Sequence, residues 1–258
     1  MARLRPVIHL RGPAAALFAS DMHLGAHDRP TLRYFLSALD RATEGVSHLF
    51  LLGDLLEAWV GDDAADAAAD ELAATLAELT RQGLWIGIQR GNRDFLIDVP
   101  IDRCKPFTLR CGAQLLDDPV IIDLMGESVM IAHGDAWCLS DRDYLAFRTQ
   151  VREASWQSAF LAKPLTERLA IARAMRDESQ SRRQITDIDH AHTIGLMRTH
   201  GVSRLIHGHT HQPGQSSLET SSNGAGMQRW VLPDWSAAPS RGGFLRVDAR
   251  GWRWIAAG

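Results

Sequence analysis

Cysteine is scarce in this chain of 258 residues: Cys104, Cys111 and Cys138, an odd number with no C-x-x-C pair. That argues against a disulfide framework and fits a reducing cytoplasm. Long apolar runs are missing too. None approaches the ~18–20 residues that span a bilayer, so any membrane contact is expected to be peripheral. In the first stretch, MARLRPVIHLRGPAAALFAS, Arg and Pro break every apolar run, and no secretory signal is expected. A strong surplus of one charge is also absent. The formal net charge of −3 gives no reason to expect nucleic acid as a partner. There is no P-loop, no nucleophile elbow and no cysteine–phosphate loop, so none of these motifs points to a covalent intermediate.

What is present is an α/β pattern in which short apolar runs alternate with longer helical ones. Strands are expected over Ala15–Ala19, His48–Leu52, Leu84–Gln89, Arg204–Ile206, Gln228–Leu232 and Gly243–Val247. A hairpin around Gly126 is expected to join Val120–Asp123 to Ser128–Ala132. Helices are expected over Thr31–Ala42 and Ala64–Arg81, and the polar stretch Ser216–Gly226 reads as a loop. Five short motifs, Asp21-Met-His23, Gly53-Asp54, Gly91-Asn92-Arg93-Asp94, His133-Gly-Asp135 and Gly208-His209-Thr-His211, each follow directly on a strand. Ligand sites of open α/β sheets lie at such strand ends. Turn chemistry explains one of these readily, but not five bearing metal-binding side chains.

The motifs supply seven candidate ligands: Asp21, His23, Asp54, Asn92, His133, His209 and His211. Mixed imidazole, carboxylate and amide donors suit Mn²⁺, Fe²⁺ or Zn²⁺ better than Mg²⁺ or Ca²⁺. Two such ions ~3.5–4 Å apart share a hydroxide and clamp the attacking and leaving oxygens of an in-line displacement. Arg93 is the candidate for holding a phosphate oxygen, its alternative being a salt bridge with Asp94.

In this order, the five motifs resemble the calcineurin-like metallophosphoesterases. The resemblance implies a metallophosphoesterase sandwich, with mixed sheets flanked by helices. It places Asp21, His23, Asp54 and His211 at one ion and Asp54, Asn92, His133 and His209 at the other. Wider stretches are similar to the UDP-2,3-diacylglucosamine diphosphatase family of lipid A biosynthesis: GDLLEAWVGDD (Gly53–Asp63), GNRDFL, HGDAWCLSDRDYLAFR (His133–Arg148), SWQSAFLAKPLTERLAIARAMRDES (Ser155–Ser179), LIHGHTHQP and VLPDW. That likeness implies a hydrolase releasing UMP and 2,3-diacylglucosamine 1-phosphate (lipid X) with two Mn²⁺. It also implies peripheral attachment to the cytoplasmic face of the inner membrane. Asn92, Arg93, Asp141, Ser179 and His209 match its substrate contacts, with Arg183 in place of a lysine. After Ser179 the family pattern is shortened, and Pro233 replaces a glycine.

Residues 140–200 differ from the rest: they read as a helical insertion between core segments 14–139 and 201–257, with 1–13 as an N-terminal extension. From Arg142 to Arg183 the insertion carries nine Lys/Arg against five Asp/Glu. Tyr144, Phe147, Val151, Trp156, Phe160, Leu161, Leu165, Leu169 and Met175 recur at helical spacing, which fits either a lid for acyl chains or an ordinary helical cap. Glu57, Asp62 and Asp63 read as helix capping and solvated charge, with support of a metal ligand from behind as the alternative, and His9, His27, His48, His190, His192 and His200 as surface or turn residues. The alternatives are a related dinuclear phosphoesterase acting on soluble nucleotides and a scaffold that has lost catalysis. A monomer is the favoured assembly.

Overall fold

The apolar runs are buried on both faces of their strands, and this decides the layering. In Ala16–Ala19, for example, Leu17 and Ala19 join one core cluster and Ala16 and Phe18 another. The computed structural model describes residues 8–10, 15–64, 66–181, 186–219 and 226–258; the side chains of 177–181 are outside the described set.

The strands are β1 (Ile8–Leu10), β2 (Ala16–Ala19), β3 (His48–Leu52), β4 (Trp85–Gln89), β5 (Gln114–Leu115), β6 (Val120–Leu124), β7 (Glu127–Ala132), β8 (Arg204–His207), β9 (Gly214–Glu219), β10 (Met227–Val231), β11 (Ser236–Ala237), β12 (Ser240–Arg241), β13 (Gly243–Asp248) and β14 (Gly251–Ala256). The helices are α1 (Arg29–Ala42), α2 (Ala67–Arg81), α3 (Phe107–Cys111), α4 (Arg142–Val151), α5 (Ala154–Leu161), α6 (Leu165–Ser181) and α7 (His190–His200). One six-stranded sheet runs β14-β13-β2-β3-β4-β5 and the other β1-β6-β7-β8-β10-β9. β2, β3, β4 and β5 are parallel neighbours, as are β7, β8 and β10, while β13 and β6 pair antiparallel with β2 and β7. Phe18, Phe50, Ile122, Ile131 and Ile206 fill the space between the sheets. Leu32, Phe35 and Leu39 of α1 and Leu72 and Leu76 of α2 cover the outer face of the first sheet. Met197 of α7 covers the second with Met130 and Leu205. The result is a four-layered α/β sandwich, mixed sheets inside and helices outside, as the family resemblance implied.

Three expectations need correcting. Ile8–Leu10 pairs parallel with β6, so part of the stretch read as an N-terminal extension is an edge strand. Gly214–Glu219, read partly as loop, pairs antiparallel with β10; backbone pairing at the sheet edge overrides its polar composition. Residues 220–225 of the expected loop lie outside the described residues. Helix α2 begins at Ala67 rather than Ala64, because Asp66 caps it by accepting from the Ala68 and Ala69 N–H groups.

The helices α5 and α6 lean on the segment 57–63 that follows β3, and α4 sits beside Asp135. Val151 and Phe160 enter the core, and Trp156 stacks on Phe160 at 4.9 Å between ring centroids. Most of the aromatic stripe is therefore packing. Arg168 of α6 is only 2% exposed. It forks onto Asp63 (Nη1–Oδ1 2.7 Å, with Nη2 on the other oxygen) and donates to the carbonyls of Val60 at 2.7 Å and Lys163 at 3.1 Å. A Cβ on Gly61 would lie 2.6 Å from Arg168 Nη1, so the loop carries glycine there. Removing one partner of a buried pair strands the other, but Asp63 keeps some access to water. Arg168→Met should cost about 2–3 kcal/mol, a fall in Tm of roughly 4–12 °C in thermal unfolding. An unchanged Tm would show that the insertion does not depend on this anchor.

Asp62 is not solvated charge either: it accepts from Trp59 Nε1 at 2.8 Å and from the Phe107 N–H at 3.4 Å. Burial, with the nearby Asp98 carboxylate, pushes it up to about 6 despite those hydrogen bonds. A carboxyl raised above its ordinary 3.8 contributes stability at low pH that is lost as pH rises through about 6. The Tm advantage of Asp62→Asn over the natural protein should therefore grow between pH 4 and pH 6 and level off above. A gap independent of pH would contradict the raised value.

Candidate metal centre

All five motifs lie at one end of the two sheets, beyond β2, β3, β4, β7 and β8. The turns after β2 and β3 continue the parallel pairing past the strands. Asp21 N–H donates to Gly53 O, His23 N–H to Asp54 O and Leu24 N–H to Leu55 O, at 2.9–3.1 Å. The sheets are tied across the site by His209 N–H donating to Asp21 Oδ2 at 2.9 Å and by His133 Nδ1 at 2.9 Å from Leu52 O. Asp94 fixes the third turn, accepting from the N–H groups of Gly91 (2.7 Å), Leu55 (2.7 Å) and Leu56 (3.4 Å). Its carboxylate is thus occupied by backbone, while Arg93 reaches Glu57 at 4.0 Å. Asp21, His23, Asp54, His209 and His211 all have positive φ, between 48° and 62°. Such backbone is strained for side-chain-bearing residues and is held here by the surrounding turns.

The seven candidates form two adjoining clusters. In the first, His211 Nε2 is 3.3 Å from Asp21 Oδ1 and 3.3 Å from His23 Nε2, and His23 Nε2 is 4.0 Å from Asp21 Oδ1. In the second, Asn92 Oδ1 lies 3.0 Å from His133 Nε2 and 2.9 Å from His209 Nδ1, and Asp54 Oδ1 is 3.7 Å from His133 Nε2. Asp54 also faces the first cluster, with Oδ2 3.8 Å from His23 Nδ1. Donors about 2.0–2.2 Å from one ion, at tetrahedral or octahedral angles, sit roughly 3–3.5 Å apart, so these separations suit a divalent cation. Asp21 Oδ1 is buried with no hydrogen-bond partner, which an ion would remedy.

The electrostatics agree. Burial drives His23 down to about 3 and His209 down to about 4, leaving both as neutral imidazoles with free lone pairs. Burial, reinforced by Asp94 and Asp21, raises Asp54. His133 is raised against its own burial by Asp54, Asp21, Asp135 and Asp118. Without a cation, a proton is therefore favoured between Asp54 and His133, and cation binding would release it.

Behind the clusters stands a network that sequence reasoning did not assign. Asp135 is fully buried and accepts from Tyr144 Oη and from Arg148 Nε at 2.8 Å, with Arg152 at 3.8 Å. Arg152 Nη2 donates to Gly91 O at 2.9 Å, and Asp118 Oδ1 accepts from His133 N–H at 3.1 Å. Tyr144 stacks over His209. Asp135, Tyr144 and Arg148 were visible as letters of the HGD and Y-x-x-FR motifs, but nothing in the sequence showed that they meet. Four arginines of the basic insertion, Arg148, Arg152, Arg168 and Arg176, are paired with core carboxylates. These four positive charges thus point inward. His200 is buried and His48 half-buried in β3 against Trp85, contrary to the surface reading. His207 is fully buried and is not in either cluster. Of the expected substrate contacts, Asn92, Arg93 and His209 are at the clusters. Asp141 caps α4 by accepting from Tyr144 N–H at 3.1 Å. The side chain of Ser179 and all of Arg183 lie outside the described residues.

A model of the calcineurin-like phosphoesterase family matches residues 15–213. A UDP-2,3-diacylglucosamine hydrolase of Stenotrophomonas maltophilia is 38% identical over 92% of this chain and 96% of its own length. The hydrolase of that name from Bordetella pertussis is 41% identical over 94% of each chain, and that of Chromohalobacter salexigens 38% identical over 90% and 92%.

Proposed function

Since the chain belongs to the calcineurin-like phosphoesterases, we propose that its metal centre hydrolyses the pyrophosphate bond of UDP-2,3-diacylglucosamine. The products are UMP and 2,3-diacylglucosamine 1-phosphate, and the step belongs to lipid A biosynthesis. One observation carries the choice of substrate. The identity to hydrolases of that name extends over more than nine-tenths of the chain and so includes the helical insertion as well as the metal-bearing core.

The residues would divide the work as follows. Asp21, His23 and His211 hold one ion, Asn92, His133 and His209 the other, and Asp54 lies between them. Two Mn²⁺ ions bound there would neutralise charge on the pyrophosphate oxygens and lower the pKa of an attacking water. Arg93 has a buried Nε without a partner, a donor suited to a phosphate oxygen beside the ions. Asp94 and Asp118 fix the turns that carry Asn92 and His133. Asp141, Ser179 and Arg183 are the proposed contacts to the rest of the substrate, and α5 and α6 the proposed lid. Leu169 of α6, 39% exposed, is an apolar side chain still open to an acyl chain.

A diacylated substrate resides in a membrane, so peripheral work at the cytoplasmic face of the inner membrane is part of the reading. Among the described residues no helix is long and apolar enough to cross a membrane. Because Arg148, Arg152, Arg168 and Arg176 face acidic core groups, binding to anionic vesicles should be modest and salt-sensitive in cosedimentation.

The deciding assay measures UMP release from the acylated and deacylated UDP-sugars side by side, with Mn²⁺. The acylated substrate should be preferred. Equal or faster cleavage of simple nucleotide diphosphates would reject the lipid assignment.

A further inference from the structure

For Glu57 the sequence left capping, solvated charge and support of a metal ligand open; its side chain is only 15% exposed and meets three groups. Its carboxylate forms an ion pair with Arg176 Nε of α6 at 2.9 Å, lies 3.6 Å from His23 Nδ1, and is 4.0 Å from Arg93 Nη1. The backbone that presents it has little freedom. Glu57 N–H donates to Leu24 O at 2.9 Å, Leu24 and Leu56 form a parallel bridge, and Trp59 N–H donates to Arg93 O at 3.1 Å. The turn bearing His23 and the turn bearing Glu57 therefore move together. Asp63, six residues on, anchors the same helix through Arg168.

His23 Nε2 is the atom directed at Asp21 and His211, and Nδ1 is the buried nitrogen with no hydrogen-bond partner. A histidine that binds a cation through one nitrogen needs its proton on the other, and a carboxylate facing that other nitrogen fixes both tautomer and ring orientation. Two carboxylates face Nδ1, Glu57 at 3.6 Å and Asp54 at 3.8 Å; Asp54 belongs to the ligand clusters, which leaves Glu57, with Arg176 as its counter-ion, to hold the ring.

We propose that Glu57 is a positioning residue. It holds His23 with Nε2 toward the first ligand cluster, and through Arg176 it makes the seating of α6 and the readiness of that cluster a single equilibrium. When α6 lifts, Glu57 loses its counter-ion and His23 its orientation. When a cation draws His23 into place, Glu57 is fixed and α6 is drawn down. The insertion is then coupled to the metal centre before any substrate arrives. The cation half of this inference rests on the proposed metal centre; the helix half does not.

The test uses the full chain and Mn²⁺ alone, with calorimetric titration and hydrogen exchange as readouts. Glu57→Gln should weaken the tighter Mn²⁺ site by about 10–100-fold, as is usual when the partner of a ligating histidine is removed. Arg176→Gln should weaken it less, and the double variant should be no worse than Glu57→Gln, because the two act in series. In the natural protein Mn²⁺ should slow amide exchange in α6, and in Glu57→Gln that slowing should disappear. Asp63→Asn loosens the other anchor of α6 but leaves Glu57 in place: it should speed exchange in α6 and weaken Mn²⁺ binding by less than Glu57→Gln does, with no further loss when the two are combined. The proposal is overturned if Glu57→Gln binds Mn²⁺ as the natural protein does, if Asp63→Asn weakens binding equally, or if the Glu57 and Arg176 effects add. Should the natural protein bind no Mn²⁺ at all, the metal reading fails separately. Metal-free exchange in α6 then decides the helix half: an unchanged rate in Glu57→Gln rejects it.

Discussion

Replacing Asp54 by Asn should leave a folded protein whose kcat/KM for the acylated UDP-sugar is lower by about a thousandfold or more, equivalent to roughly 4 kcal/mol of transition-state stabilisation. Fold and function separate here for a physical reason. Asp54 Oδ1 accepts the Arg93 N–H at 2.8 Å, and Asn retains that acceptor, so the turn keeps its shape. Burial already favours the neutral carboxyl at this position, so an amide adds no folding burden. What disappears is the negative charge between the two clusters, which no other side chain supplies to both. Loss of a partner behind a ligand typically costs 10–100-fold, and loss of the group facing both ions should cost more. Metal content, Tm and steady-state rates measured on one preparation check this. Natural turnover in Asp54→Asn would remove the two-metal mechanism.

A comparable loss should follow from adding one methyl group to a residue with no side chain. A Cβ on Gly91 would lie 2.1 Å from Asp54 Oδ1 and 2.3 Å from Asp54 N, far inside contact distance. Neither atom yields readily. Asp54 is held by Arg93 N–H, and the Gly53 backbone packs directly against Gly91, where a Cβ on Gly53 would itself meet Gly91 at 2.7 Å. Relief requires the turns after β3 and β4 to separate, and these carry Asp54 and Asn92. Gly91→Ala should therefore lower activity by about as much as Asp54→Asn, with an overpacking cost of about 1–3 kcal/mol and a Tm lower by roughly 2–12 °C. Gly195→Ala is the control, since its Cβ would meet nothing within 4 Å inside α7. It should leave activity unchanged and stabilise the helix by up to about 1 kcal/mol. Full activity in Gly91→Ala would show that the turns can part without disturbing the site.

The seven candidate ligands were legible because each is a metal-binding side chain beside a turn residue at a strand end, in five turns that repeat the pattern. Those signals are local, and tertiary contacts do not rewrite them. The strands His48–Leu52 and Gly243–Asp248 were equally plain, being short apolar runs bounded by turns. Gly214–Glu219 was not, because its Ser and Gln residues are exposed and only pairing with β10 makes it a strand. The same limit applied to charges. Glu57, Asp62, Asp63 and Asp135 are common residues on irregular backbone, and their meaning lies in partners 3 to 119 positions away that no spacing rule connects. The count of basic residues in the insertion was correct, but their direction was not contained in it.

The left-handed backbone at Asp21, His23, Asp54, His209 and His211 bears on how this protein can change. Each of these residues sits where an L side chain costs roughly 1 kcal/mol or more relative to glycine. A population selected only for surviving heat should therefore accept glycine or asparagine at His23 and His211, and its members would outlast their parent while hydrolysing nothing. Durability and turnover draw on the same five positions in opposite directions. A search for hardier forms of this enzyme has to hold those positions fixed and look elsewhere for its gains.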